Sequence, residues 1–199
     1  MALGVISVRL TSVPRWQPDA RARLVLAALD LFEERGYDQT TVAEIAERAG
    51  LTKRTFFRYF VDKREVLFWG TDDVGDLFTR AIRSAPRSAS ALHAVALGFD
   101  AFARMLEEQG EVALRRIRIV RASPELSERQ LIKFSSMSNA ASRALRCRGV
   151  DGAVADLTAE TAMTVVRVAT SHWLEKTSDK PLAELFAETL AQLRTVTNA

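Results

Sequence analysis

The sequence predicts an all-α fold, and two observations lead to this prediction. Apolar residues recur at steps of three and four from about residue 19 onward, which is the period of an amphipathic helix. No stretch alternates apolar and polar residues for long enough to favour a strand. With 199 residues, 48% of them hydrophobic, the chain is long enough for one domain or for a small domain joined to a larger one.

Three short, closely spaced helices are predicted first. Asp19 is a capping residue at the start of the first helix, and Gly36 lies where that helix would end. A Thr-x-x-Glu capping box opens the second helix at Thr41, and Gly50 closes it. Thr52 opens the third helix, so these elements form one compact unit.

Longer helices follow, separated by glycine and proline residues. We expect them at residues 63–84, 88–108, 111–121, 124–147, 151–176 and 180–196. The predicted organisation is a mobile N-terminal arm at residues 1–18, a three-helix unit at residues 19–64 and a larger helical domain at residues 65–199.

The second and third helices have the spacing of a helix-turn-helix, a motif that binds double-stranded DNA. Counting from Val42, Ala46 falls where the crossing helix requires a small residue. Gly50 falls in the turn, where a positive φ favours glycine. Leu51 and Phe56 occupy the apolar positions that lock the two helices together. The caps and flanking helices agree with the motif.

The third helix belongs to a basic segment, residues 51–64, which carries five cations and one acid. Phe56 and Phe60 are four residues apart and are expected to face the core. The opposite face is either a solvated cationic surface or a surface that reads DNA. Arginine and lysine bond guanine edges, and an aromatic ring packs on a thymine methyl group. The candidates are Lys53, Arg54, Phe57 and Arg58, with Tyr59 and Lys63 at the flank for phosphate oxygens.

Residues 21–68 resemble the TetR/AcrR family of transcriptional regulators. The resemblance is carried by LVLAALDLFEERGYDQTTVAEIAERAGLTKRTFFRYFVDKREVLF, with pattern residues Phe32, Gly36, Tyr37, Thr40, Thr41, Ile45, Ala46, Gly50, Thr55, Phe60 and Lys63. The contacts it implies are phosphate contacts by Thr41, Tyr59 and Lys63 and major-groove contacts by Lys53, Arg54, Thr55 and Phe57. The chain departs from the usual pattern at Arg54, Phe57 and Val61.

The resemblance also implies a cytoplasmic homodimeric repressor that leaves its DNA operator when a small molecule binds the larger domain. Apolar residues of the middle helices either line that effector pocket or form ordinary core: Phe99, Phe102, Met105, Phe134 and Met137. The family forms its dimer through the last two helices, although their apolar stripes can equally pack against their own chain. The expected interface residues are Val165, Val166, Ala169, Trp173, Leu185 and Phe186.

A second basic segment, RRIRIVR at residues 115–121, places Arg115, Arg118 and Arg121 on one face of a helix. This face is either solvated or brings an arginine to an anionic ligand, such as a carboxylate or the phosphate of an acyl thioester. Arg118 is the pocket candidate in the second case.

Other classes of protein find less support in the sequence. It contains no nucleophile elbow, glycine-rich phosphate loop or paired acid-base motif, so we do not expect an enzyme. One cysteine and two distant histidines predict neither a metal site nor a cofactor. The absence of disulfides and of long apolar runs favours the cytoplasm. The alternative to a regulator is an architectural protein that binds DNA without reading its sequence.

Overall fold

The computed structural model describes residues 19–70, 72–175 and 180–197, and within them it contains only α-helices as regular elements. The helices are α1 Ala20–Arg35, α2 Val42–Arg48, α3 Lys53–Tyr59, α4 Glu65–Phe68, α5 Asp72–Ser84, α6 Ala91–Gln109, α7 Glu111–Ala122, α8 Pro124–Cys147, α9 Gly152–Leu174 and α10 Leu182–Thr197. The all-α prediction is confirmed. The arm predicted at residues 1–18 lies outside the described residues.

Local signals fix the first three helices as predicted. The Asp19 side chain accepts from the Arg21 amide, and Thr41 forms the capping box of α2 with Glu44. Thr52 caps α3 by accepting from the amide of Thr55. Gly50 has a φ of 63°, and a Cβ at this position would lie 2.8 Å from the Arg23 guanidinium. The turn between α2 and α3 therefore requires glycine.

The helix predicted at residues 63–84 is wrong in one respect, because the structure divides it. α4 ends at Phe68, and Trp69 has an extended ψ of 132°. Gly70 has a φ of 80°, which side chains other than glycine rarely adopt, and α5 begins only at Asp72. This break gives α4 a direction of its own.

The apolar side chains form two cores. The first core contains residues of α1 to α4 together with Ile119, Val120 and Leu126 of α7 and α8. The second core contains residues of α5 to α10, including Ala113 at the start of α7. We call residues 19–70 the head and residues 72–197 the body. Helix α7 therefore belongs to both cores, one at each of its ends.

Polar contacts also join the head to the body. Arg115 of α7 makes ion pairs of 2.6 Å with both Asp30 and Glu33 of α1. Arg129 of α8 pairs with Glu65 of α4 at 2.7 Å. These pairs and the shared core hold α1, α4 and α7 in a fixed arrangement.

The predicted dimer-interface residues lie inside their own chain. Val165, Val166, Ala169, Leu185 and Phe186 are all buried in the body core. Trp173 is partly buried against the same core. Neighbouring helices cover most of the apolar stripes of α9 and α10, so the first five residues have little surface left for a second chain, and the contact of Trp173 with a partner stays a prediction. Packing within the chain, the other possibility for these stripes, is the one observed.

Two further features bear on the class of protein. No helix of the described part of the chain is long and apolar enough to cross a bilayer. In the same residues, no three histidine, cysteine, aspartate or glutamate side chains lie where they could share a metal ion.

Candidate DNA interface and adjoining cavity

The short helix α3 is anchored on one side and exposed on the other. Phe56 and Phe60 are buried in the head core, with their ring centroids 5.5 Å apart. Phe57 is 57% exposed, although its ring meets that of Phe56 edge-on at 5.5 Å. An exposed phenylalanine has no role in the head core, so the outer face of α3 offers an apolar contact to a partner.

Three cations surround this exposed ring. Lys53 and Arg54 point into solvent, and neither has a carboxylate within ion-pair distance among the described residues. Arg58 donates to the hydroxyl of Tyr59 at 3.1 Å, and its guanidinium lies 4.9 Å from the centre of the same ring. The structure thus brings Lys53, Arg54, Phe57 and Arg58 together on one open face.

The flank of α3 contains a residue that the sequence did not reveal. Tyr59 is partly buried between two cations, because Arg21 of α1 lies 5.1 Å from its ring on a second side. The Arg21 guanidinium also lies 5.4 Å from the ring of Trp69. In the sequence, Arg21 lies 38 residues before Tyr59 and 48 residues before Trp69, and no local pattern indicates their contact. Arg21 joins the candidate surface through this stacking.

Two predicted contact residues, Thr41 and Thr55, are already engaged within the chain. The Thr41 hydroxyl donates to Glu44 at 2.8 Å, and the hydroxyls of Thr55 and Thr52 lie 3.0 Å apart. Their DNA contacts remain predictions, since a hydroxyl can accept a second bond.

Lys63 is placed differently from the expectation. Its ammonium donates to the carbonyl oxygens of Tyr37, Asp38 and Thr40 at 2.8, 3.3 and 3.0 Å, and it lies 4.2 Å from the Tyr37 ring centre. All three donors of the ammonium are therefore used inside the head. This geometry gives Lys63 a structural role within the head, and its phosphate contact stays a prediction.

A cavity of about 100 Å³ lies between the head and the body. The residues that line it come from six helices and the α4–α5 connection: Leu67, Phe68, Gly70, Val74, Phe102, Met105, Leu106, Gln109, Ala113, Arg116, Ile117, Val120, Gln130, Lys133, Phe134, Met137, Val166 and Thr170. Most of this lining is apolar, as in typical small-molecule sites.

Four of the six predicted pocket residues line this cavity: Phe102, Met105, Phe134 and Met137. Phe99 instead packs in the body core, stacked on Phe186 with centroids 5.2 Å apart. Arg118 is exposed and pairs with Glu111 at 2.9 Å, so its assignment to the pocket is wrong.

The arginine that does line the cavity is Arg116. It lies three residues after Ala113 and four before Val120, both of which are buried. This spacing places Arg116 on the apolar face of α7. The spacing can be read from the sequence, but the prediction considered only the opposite face, which carries Arg115, Arg118 and Arg121.

Comparisons with known proteins agree with this architecture. Residues 24–68 match the model of the family described as bacterial regulatory proteins, tetR family. Residues 89–198, more than half of the chain, match a model described as the MftR C-terminal domain. The two matches correspond closely to the head and the body.

Individual relatives are also regulators. The chain is 30% identical to the transcriptional regulator TcmR of Streptomyces glaucescens over 138 residues, which span 66% of this chain and only 61% of TcmR. It is 28% identical over 165 residues to the mycofactocin biosynthesis regulator MftR of Mycobacterium tuberculosis, covering 76% of this chain and 78% of MftR.

A solved structure extends the likeness to the fold. FadR of Bacillus subtilis, in complex with stearoyl-CoA, superposes with a TM-score of 0.60 at 20% identity, covering 86% of this chain and 96% of FadR. The family models, the relatives and the fold confirm the resemblance seen in residues 21–68. The chain belongs to the TetR family of bacterial regulatory proteins.

Proposed function

We propose that this chain is a homodimeric, sequence-specific transcriptional repressor of the cytoplasm that a small molecule releases from its DNA operator. The observation that carries the proposal is the open face of α3, where Lys53, Arg54 and Arg58 surround an exposed Phe57. Cations without internal carboxylate partners are free to meet phosphates and guanine edges. The exposed ring supplies an apolar contact for a thymine methyl group.

The position of the cavity supports control of DNA binding by a ligand. Leu67 and Phe68 of α4 and Val120 of α7 line the cavity and also pack in the head core. A ligand that fits the cavity best in one arrangement of α4 and α7 therefore favours one orientation of the head. In a dimer, that orientation sets the distance between the two α3 helices, which must match successive major grooves.

The surface that α9 and α10 offer to a second chain is the part that the body core leaves exposed. The apolar residues that remain exposed on those helices are Val154, Leu157 and Val196. We propose that pairing of two chains covers residues of this exposed kind, because large apolar side chains in solvent are typical of an interface.

Selection of genomic DNA fragments by the purified protein at near-physiological salt tests the function. We expect enrichment of an inverted repeat, because a two-fold dimer reads two half-sites. The variant with Lys53→Ala, Arg54→Ala and Arg58→Ala serves as the background, and it should enrich no sequence. Binding of all fragments alike, with an affinity that collapses as salt rises, would instead favour the architectural alternative.

A further inference from the structure

The four arginines of α7 differ in one respect that points to a ligand. Arg115 pairs with Asp30 and Glu33, whereas Arg118 pairs with Glu111 and Arg121 with Glu175. Arg116, which faces the cavity, has no carboxylate within ion-pair distance in the described part of the chain. It is therefore the one arginine of α7 whose charge is uncompensated by those residues.

The environment of Arg116 makes this lack of a partner costly. Its Nε is buried and has no hydrogen-bond partner among the described residues. Nη1 reaches only the amide oxygen of Gln109, at 3.4 Å. Burial lowers the pKa of the Arg116 guanidinium, because desolvation disfavours the charged form. An anion in the cavity that paired with the guanidinium of Arg116 would neutralise this charge.

The remainder of the cavity restricts what such an anion can be. Around Arg116 the walls are apolar, with Phe102, Leu106 and Met137 buried and Met105 and Phe134 partly buried. A volume of about 100 Å³ is close to that of engineered cavities, about 150 Å³, that hold a benzene molecule. A compact apolar body with a single charged group fits these mainly apolar walls, because each charge buried there is costly unless it is paired, and the lining holds two cations, Arg116 and Lys133.

We propose that the effector site binds a small apolar carboxylate, whose carboxylate group pairs with Arg116 and whose body fills the apolar part of the cavity. This inference rests on the proposed ligand-released repressor, since it names the chemical class of the ligand. A longer carboxylate would extend past Phe134 and Thr170, which the cavity shares with an adjoining open groove.

Thermal unfolding of the full-length protein with matched acids and amides tests this inference. The probes are benzoate and benzamide, hexanoate and hexanamide, and octanoate and octanamide, at pH 7 and constant ionic strength. Each amide has nearly the shape of its acid but no charge. We expect at least one carboxylate to raise the melting temperature more than its amide does. The affinity for that carboxylate should fall about tenfold or more in Arg116→Met and in Arg116→Gln.

Two matched variants locate the effect. Arg118→Gln removes a charge from the exposed face of the same helix and should keep the full preference for the acid. Lys133→Gln removes the other cation of the cavity lining, and loss of the preference in this variant but not at Arg116 would overturn the assignment. Equal shifts by acid and amide, or no shift with any of the three acids, would overturn it as well.

The release of a selected DNA fragment separates this inference from the proposed function. A carboxylate that binds through Arg116 and leaves the DNA bound would support the anion site and contradict ligand-released repression. Release by a neutral amide, at the same concentration as by its acid, would support the repressor and overturn the carboxylate site.

Discussion

The two basic segments of this protein have similar compositions and different physical states. On α3, Lys53 and Arg54 extend into solvent with no carboxylate of the described residues beside them. On α7, Arg115, Arg118 and Arg121 each pair with an acid of the same chain. A run of cations in a sequence therefore does not by itself indicate a polyanion partner. The supply of acids on neighbouring helices decides whether the charge is available.

The number of acidic side chains near the two basic segments differs, because α3 and α7 pack against different helices. α7 crosses the face of α1 that carries Asp30 and Glu33, and hydrogen bonds with Glu33 and Asp30 raise the pKa of the Arg115 guanidinium. Near α3, one acid of α1 and one acid of α2 pair with arginines outside α3, whereas Glu47 of α2 is exposed and forms no ion pair in the described part of the chain. Glu34 pairs with Arg48 and Glu44 pairs with Arg35, both at 2.8 Å. The cations of α3 are left for an external partner.

Apart from Arg64, which pairs with Asp62 and Glu125, each segment contains one residue that behaves oppositely to its neighbours. Lys63 lies near the end of the basic segment of α3, yet its ammonium is satisfied by three backbone carbonyls of the head. Arg116 lies among the paired arginines of α7, yet its Nε has no partner in the residues described. These two exceptions make the comparison testable at single positions.

The largest effect is expected from Arg54→Ala. Under the proposed function this exposed side chain bonds base edges, so removal should weaken binding to a selected operator about 5- to 150-fold and relax the preference at one base pair. Fluorescence anisotropy with the operator and with single-base variants measures both quantities. Arg48→Ala is the matched control, because Arg48 is a comparably exposed arginine of α2 that pairs with Glu34.

An equal loss of affinity for operator and unrelated DNA would show that Arg54 contacts phosphate only. In that case the slope of the logarithm of the binding constant against the logarithm of the salt concentration would also decrease in magnitude by about 1, the value for one lost phosphate contact. A loss of the same size in Arg48→Ala would contradict the comparison itself, because a paired arginine would then be contributing as much as an unpaired one.

A smaller effect, on stability and not on base preference, is expected from Lys63→Ala. Removing the ammonium takes a donor from three carbonyl oxygens, of which that of Tyr37 keeps the amide of Thr40, and should lower the free energy of unfolding by about 1–3 kcal/mol. Urea unfolding at fixed protein concentration measures this change. Lys53→Ala is the control at an exposed site and should change stability by less than about 0.5 kcal/mol. Unchanged stability with uniformly weaker DNA binding would restore the phosphate role predicted for Lys63.

The head was predictable from the sequence because its signals are local. The caps at Asp19, Thr41 and Thr52 and the positive φ at Gly50 act within a few residues of the positions they fix. The break after α4 also has a local cause, Gly70, but a single glycine within an apolar helical pattern is a weak signal.

The contacts of the body depended on partners that the sequence does not specify. The stripes of α9 and α10 have the same pattern whether they cover their own core or a second chain, so the sequence did not reveal that Val165 and Phe186 belong to the body core. The contact of Arg21 with Tyr59 depends in the same way on how α1 crosses α3. Arg116 is different, since its spacing from Ala113 and Val120 already indicated the inner face.

The smallest effect is expected from Arg118→Gln. Arg118 and Glu111 form an exposed pair at 2.9 Å, with side chains 43% and 61% accessible, and such pairs contribute about 0–1 kcal/mol. We expect urea unfolding and operator binding to remain close to those of the unchanged protein. Arg118 would be a ligand-binding residue after all if this substitution abolished the response to a carboxylate while Arg116→Gln preserved it. The physical reason to expect otherwise is that Arg118 already has a carboxylate in contact and water around it, whereas the Nε of Arg116 has neither.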